Sequence, residues 1–158
     1  MSFILPDLGF EYDELEPYMD ADTMEVHHAK YHAGQIKKFN EALEKYSLGN
    51  KSPSEIFSKV SKFPREIRNN GGSYYNHALF WKSLSPDSNQ ELDPELKDLI
   101  YKYFGTLENL KNKFSEASGL LHGSGWVWLI KKPNSELIVE FTPNDDNPLM
   151  DINPITGN

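Results

Sequence analysis

His27 and His77 are the residues of this chain best suited to metal chemistry, because each falls on the apolar stripe of a separate helix-like segment and is ringed by aromatic residues. His27, Tyr31 and Gln35 follow one another at i, i+4 and i+8, which stacks side chains along one helix face. Tyr74, His77, Trp81 and Leu84 share a face of a second segment by the same rule, with Phe80 beside them. Packing the two faces together would set two imidazoles in an aromatic lining. Imidazole suits iron, manganese, zinc and copper, and an apolar surround tunes potential and solvent access. The same spacing equally suits hydrogen-bonded core histidines, so periodicity leaves both readings open. His28 and His32, also four apart, could make a zinc-type pair. No HExxH pattern or acidic third ligand accompanies them, so a solvated or interfacial face is expected. His122, just before Gly123-Ser124-Gly125, needs only a turn role.

Other chemistries find little support. There is no P-loop, no GxGxxG after a strand and no GxSxG elbow. The absence of cysteine excludes disulfides, thiolate sites and Cys nucleophiles. Asp145-Asp146 reads as a solvated acidic loop rather than a general acid/base pair. A formal charge of -8, with scattered basic residues, argues against nucleic acid as a partner. The start, Met1-Ser2-Phe3-Ile4-Leu5-Pro6, has no basic region followed by an apolar run, and no stretch is long and apolar enough to span a bilayer. A cytoplasmic protein without membrane contact is the expectation.

The elements that must position the histidines are well punctuated. Residues 1–19 form a Pro-bearing extended entry. Asp20 or Asp22 can cap a helix from about Ala21 to Tyr46, whose apolar line runs Met24, His28, Tyr31, Gln35, Phe39, Leu43. Ser52-Pro53-Ser54-Glu55 has the signature of a second, short helix that Pro64 interrupts. A third helix spans about Arg65 to Leu84, through a Gly71-Gly72 pair that weakens it unless close packing requires it. Asp93-Pro94 opens a fourth helix ending at Gly105, and Thr106 caps a fifth to about Leu121. The period then becomes extended. Trp126 to Ile130 and Leu137 to Phe141 read as strands of one hairpin around a Pro-Asn turn, and Pro154-Ile155-Thr156 could begin a third. Helices followed by an antiparallel hairpin make an α+β chain, with a sheet that reads as unfinished. The expected division is residues 1–86, a helical-hairpin domain, and residues 87–158, an incomplete C-terminal α/β domain.

Taken in order, several motifs resemble one family. Thr23-Met24-Glu25-Val26-His27-His28-Ala29-Lys30, Asn76-His77-Ala78-Leu79-Phe80-Trp81 and Gly123-Ser124-Gly125-Trp126-Val127-Trp128-Leu129 look like the iron/manganese superoxide dismutases. Leu5-Pro6-Asp7-Leu8 with Tyr12 and Leu15-Glu16-Pro17 near the start, and Thr142-Pro143-Asn144-Asp145-Asp146-Asn147-Pro148-Leu149, fit the same pattern. The resemblance covers essentially the whole chain and shifts the reading of the histidines toward metal ligands.

That resemblance implies disproportionation of superoxide to O2 and H2O2 at a mononuclear iron or manganese ion, in a homodimer. It makes His27 and His77 the first two ligands. An Asp and a third His belong to a segment that follows a run resembling Pro154-Ile155-Thr156-Gly157-Asn158, so a C-terminally truncated chain, lacking the third strand and final helices and weak or inactive alone, is expected. Trp126 and Trp128 would line the site, and Lys30 matches a lysine that helps attract the anion. The surroundings of the ligands depart from the pattern. Tyr31 and Gln35 stand where the family usually has His and Tyr, and Tyr74 stands where another His is frequent. Ser73 and Asp145 occupy the two positions from which a glutamine commonly binds the metal's solvent ligand; Gln35 is a candidate for a displaced amide. An aspartate there would shift potential and solvent pKa. The alternative is a non-catalytic homologue with a structural or protein-binding role.

Overall fold

The computed structural model describes residues 2–152, which divide between Ser88 and Asn89 into two compact units. In the first, Asp20 caps helix α1 (Ala21–Glu25) by accepting from the Thr23 amide at 2.9 Å and the Thr23 hydroxyl at 2.7 Å. The chain continues without a break as a π-helical segment, Val26–His32, and then as α2, Ala33–Lys45. The single long helix read from the sequence is therefore correct in extent but not in winding.

The winding decides which side chains face inward. The buried stripe is Met24, His28, His32, Ile36, Phe39 and Leu43. Its first three steps are of four residues each, which an α-helix of 3.6 residues per turn would rotate off the face. The wider turn of i→i+5 bonding keeps them in line. Tyr31, expected on the apolar line, is instead 46% exposed, and Gln35 is half-buried. His28 and His32, expected on a solvated or interfacial face, are buried. Their ring nitrogens are all occupied. His28 donates from Nε2 to the Pro6 carbonyl (2.8 Å) and accepts at Nδ1 from the Tyr12 hydroxyl (3.0 Å), which ties the N-terminal segment to the helix. His32 donates from Nε2 to the Tyr74 carbonyl (3.1 Å) and accepts at Nδ1 from Trp81 Nε1–H (3.0 Å). These partners satisfy both nitrogens of each ring, so burial leaves no imidazole nitrogen unpaired and the expected surface face gives way to the core.

Ser52 and Glu55 form a full capping box at the start of α3 (Pro53–Phe57), and a 3-10 turn, Val60–Lys62, follows it. Helix α4 (Arg65–Ser83) then runs antiparallel to α2. Lys45 Nζ meets Glu66 at 2.7 Å at one end, Phe39 packs on Gly71 midway, and His32 reaches Tyr74 and Trp81 at the other. The exposed ion pair contributes little. The buried side chains hold the helices together: Met24, Phe39, Leu43, Ile56, Phe57, Ile67 and Trp81 are almost wholly inaccessible.

In the second unit Asp93 caps α5 (Pro94–Phe104), Gly105 ends it at φ 79°, and Thr106 caps α6 (Leu107–Leu120). Strands β1 (Gly125–Lys131) and β2 (Leu137–Pro143) pair antiparallel, from Gly125↔Pro143 to Lys131↔Leu137. Ile100, Leu110 and Leu137 centre the core, with Phe114, Leu129 and Val139 packed around them. The helices with an antiparallel sheet are the α+β arrangement expected. The proposed third strand at Pro154-Ile155-Thr156 lies outside the described residues. Among the described residues no helix is long and apolar enough to cross a membrane.

Two stability effects follow from this packing. Burial holds His32 at about 4, below the usual 6.5, with neighbouring His77, His28 and His27 lowering it further and the bond to the Tyr74 carbonyl opposing the shift. Between those values the unfolded chain binds more protons than the folded one. Stability is therefore complete above about pH 6.5 and falls as pH drops toward 4, by up to about 1.4 kcal/mol per pH unit for this one group. Urea unfolding of metal-free protein across that range measures it, and a stability that does not change with pH would contradict the arrangement. At Gly71 a Cβ would stand 2.8 Å from Phe39 Cε2 and 3.0 Å from Cζ, and that ring packs in a cluster with Phe3 and Tyr74. Gly71→Ala should therefore lower stability by about 1–2 kcal/mol, the crowding outweighing the roughly 1 kcal/mol gained in helix propensity. An unchanged or raised melting temperature would show that the ring has room to move.

Candidate metal centre

His27 sits in the π-helical segment and His77 in α4, and the antiparallel packing of α2 on α4 brings them together. Their Nε2 atoms are 2.9 Å apart. His77 donates from Nδ1 to the Ser73 carbonyl at 2.8 Å, so its ring proton is committed on that side. The hydrogen between the two Nε2 atoms accordingly belongs to His27, and His77 Nε2 presents its lone pair. His77 is buried and His27 half-buried. Burial lowers the pKa of both; the charge of His28 adds to the effect at His27, whereas at His77 the charge of His27 adds to it and the bond to Ser73 opposes it. Both imidazoles are therefore neutral at neutral pH, the state in which they can donate to a metal.

Aromatic rings enclose the pair. Trp81 lies 5.0 Å from the His27 ring centroid and 6.2 Å from that of His77. Tyr31 lies 5.8 Å from His27 and 5.4 Å from His77. The His32 ring stacks on His77 at 5.4 Å and an interplanar angle of 25°. Tyr74 stacks on His32 at 6.2 Å, and burial raises its phenol pKa above the usual value. On its open side His27 borders a cavity of about 510 Å³ lined by Asp22, Thr23, Val26 and Tyr31 as well. Lys30 is exposed on the same segment.

The residues singled out in the sequence thus separate into two groups. His27, His77, Tyr31, Ser73 and Tyr74 gather in the first unit, with Gln35 one turn beyond Tyr31 on the same helix. Trp126, Trp128 and Asp145 belong to the second unit. There the two indoles lie 6.0 Å apart, Trp128 Nε1–H donates to Thr142 Oγ1 at 2.8 Å, and that hydroxyl donates to the Asp146 carbonyl at 2.6 Å. The Trp128–Thr142 relay fixes the loop that carries the half-buried Asp145. The sequence reading missed the paired roles of His28 and His32. Their one local signal is the run of four-residue steps from Met24, which fits neither a surface face nor an unbroken α-helix.

The donor set fits a metal ion in part. Two neutral imidazoles converge through Nε2, and the other nitrogen of His77 is held by a backbone carbonyl, the support that metal-bound histidines usually have. Among the described residues no group of three or more His, Cys, Asp or Glu gathers as a metal site.

Comparison with known proteins gives the arrangement its context. Residues 2–85 match the iron/manganese superoxide dismutase α-hairpin domain, and residues 92–157 match the C-terminal domain of the same family. The manganese superoxide dismutase of Thermus thermophilus is 44% identical over 161 residues, covering 98% of this chain and 79% of that protein. Manganese superoxide dismutase 2 of Bacillus anthracis is 44% identical over 155 residues, covering 95% and 74%. The manganese superoxide dismutase of Thermus aquaticus is 43% identical over 161 residues, covering 98% of this chain and 79% of that protein. With both domain models matched in order along nearly its whole length, the chain belongs to the iron/manganese superoxide dismutase family.

Proposed function

We propose that the protein disproportionates superoxide to O2 and H2O2 at a mononuclear iron or manganese ion, with His27 and His77 as two of the ligands. The observation that carries this reading is the convergence of the two Nε2 atoms at 2.9 Å, with His77 Nδ1 already committed to Ser73. When bound, the ion supplies the one-electron redox couple. The chain's own residues do the rest. His77 is held in the tautomer that puts the lone pair on Nε2, and burial disfavours protonation of both rings. Tyr31 borders the open approach to His27, and Lys30 offers a local positive charge against the net charge of -8. The Asp and third His that the family resemblance implies are not among the described residues, so residues 2–152 by themselves would hold an ion weakly. In this reading residues 1–86 form the helical-hairpin domain, residues 87–158 belong to the C-terminal domain, and the protein assembles as a homodimer.

Manganese is the first ion to test, because the relatives above are named for it. Protein expressed from its complete gene should purify with close to one iron or manganese per chain and remove superoxide catalytically. His27→Ala and His77→Ala should each reduce metal content by at least about tenfold, since even changes to groups behind a ligand weaken binding by that much. Elemental analysis and pulse radiolysis make the two measurements. A folded protein without metal would overturn the proposal in favour of a non-catalytic role.

A further inference from the structure

Among the described residues, Ser73 carries the buried side-chain polar atom that no protein group satisfies. The residue is 1% exposed, and its hydroxyl has no hydrogen-bond partner among the described residues. A serine within a helix commonly bonds back to the carbonyl four residues earlier, and this one does not. Ser73 lies one turn before His77, so both side chains occupy one face of α4. Across from it, Gln35 lies on α2 between His32 and Phe39, at i+3 from the first and i−4 from the second. His32 reaches Tyr74 and Phe39 packs on Gly71. The antiparallel register therefore sets Gln35 level with Ser73 on the facing helix. The half-buried Gln35 carboxamide also makes no hydrogen bond among the described residues. Two uncommitted polar groups thus occupy the same level of an otherwise aromatic and apolar helix contact, next to the histidine pair.

A buried hydroxyl left unsatisfied is destabilising, and buried polar groups without a protein partner are ordinarily satisfied by internal water, which needs two or more polar contacts. We propose that Ser73 and Gln35 together hold one buried water molecule between α2 and α4, and that this water presents a hydrogen-bonding group to the His27–His77 pair. Ser73 and Gln35 are then positioning residues: their side chains place solvent beside the pair, in addition to the bond the Ser73 carbonyl makes to His77. The serine can donate and accept, and the carboxamide offers both an N–H and a carbonyl, so one water can satisfy both whatever its orientation. This inference rests on the metal-binding reading above for its consequence at the metal, but the water itself does not require the metal.

The experiment is a double-mutant cycle with Ser73→Ala, Gln35→Leu and the pair, in protein expressed from its complete gene. In metal-free protein each single change should lower the melting temperature, and the double variant should lose no more than the larger single loss, because either change alone removes the shared water. In metal-loaded protein each variant should retain its metal yet show a shifted absorption band for the oxidised ion, a readout that a merely structural role would leave unmoved. A higher melting temperature for Ser73→Ala would overturn the proposal, since that is the result of removing a hydroxyl the fold leaves unsatisfied. Additive losses would overturn it as well, and so would an unmoved absorption band in metal-loaded variants. If the unmodified protein takes up no metal, the functional reading fails, and the metal-free cycle alone still decides for or against the water.

Discussion

The hydrogen bond from His77 Nδ1 to the Ser73 carbonyl, 2.8 Å long, is the constraint from which the rest of the site takes its form. An imidazole has two nitrogens and, when neutral, one proton. By fixing that proton on Nδ1, the bond turns His77 Nε2 into a lone-pair donor and orients the ring. The acceptor comes from the same helix, one turn earlier, and a carbonyl has two lone pairs, so it can serve the helix and the side chain together. Residue type and helical spacing alone provide this arrangement. No change in the remainder of the chain is needed to choose the tautomer.

What helix α4 cannot provide alone is a second nitrogen facing the first. That depends on the π-helical turn across from it. Of the four histidines gathered there, His28 and His32 use both ring nitrogens on protein groups: Pro6 and Tyr12 for one, Tyr74 and Trp81 for the other. His27 and His77 instead face each other through Nε2. This difference separates structural histidines from candidate ligands more sharply than burial does, since His28 and His77 are nearly equally inaccessible, at 6% and 4%. A metal at His28 or His32 would break a bond that ties the ring to the fold, whereas at His27 and His77 it would replace only the bond between the two rings.

The parts of this arrangement visible in the sequence are those whose causes are local. Ser52 with Glu55, Asp93 before Pro94, Thr106 and Gly105 punctuate helices through contacts only a few residues away, and the structure places helix ends within a residue or two of the expected positions. The hairpin likewise follows from its alternating aromatic and β-branched residues and its Pro-Asn turn. The inward stripe was visible only in part. Met24, His28, Phe39 and Leu43 lie on the expected apolar line, but His32 and Ile36 take the places expected of Tyr31 and Gln35. The reason is that His32 becomes an acceptable core residue only through Tyr74 and Trp81, far along the chain. Without those partners, two histidines four residues apart are reasonably read as a surface pair. The meeting of His27 and His77 is intermediate. Their spacing placed each on a suitable face, but only ordered motifs elsewhere in the chain favoured chemistry over packing.

The aromatic surround and the close helix contact serve one physical end. Gly71 lets the Phe39 ring lie against the α4 backbone, and the resulting approach lets His32 reach the Tyr74 carbonyl and stack on His77. The rings that exclude water also lower the proton affinity of His27 and His77, so the site is neutral before any cation arrives. A pair of neutral imidazoles held this close would be poorly stabilised if both were charged, and an apolar surround makes the charged state less favourable still. Apart from moving the His27 proton off Nε2, the loss of charge, ring orientation and desolvation that a metal ion would otherwise have to drive are therefore already accomplished in folding. The energy comes from the buried side chains of α2 and α4, several residues removed from the nitrogens they hold in place.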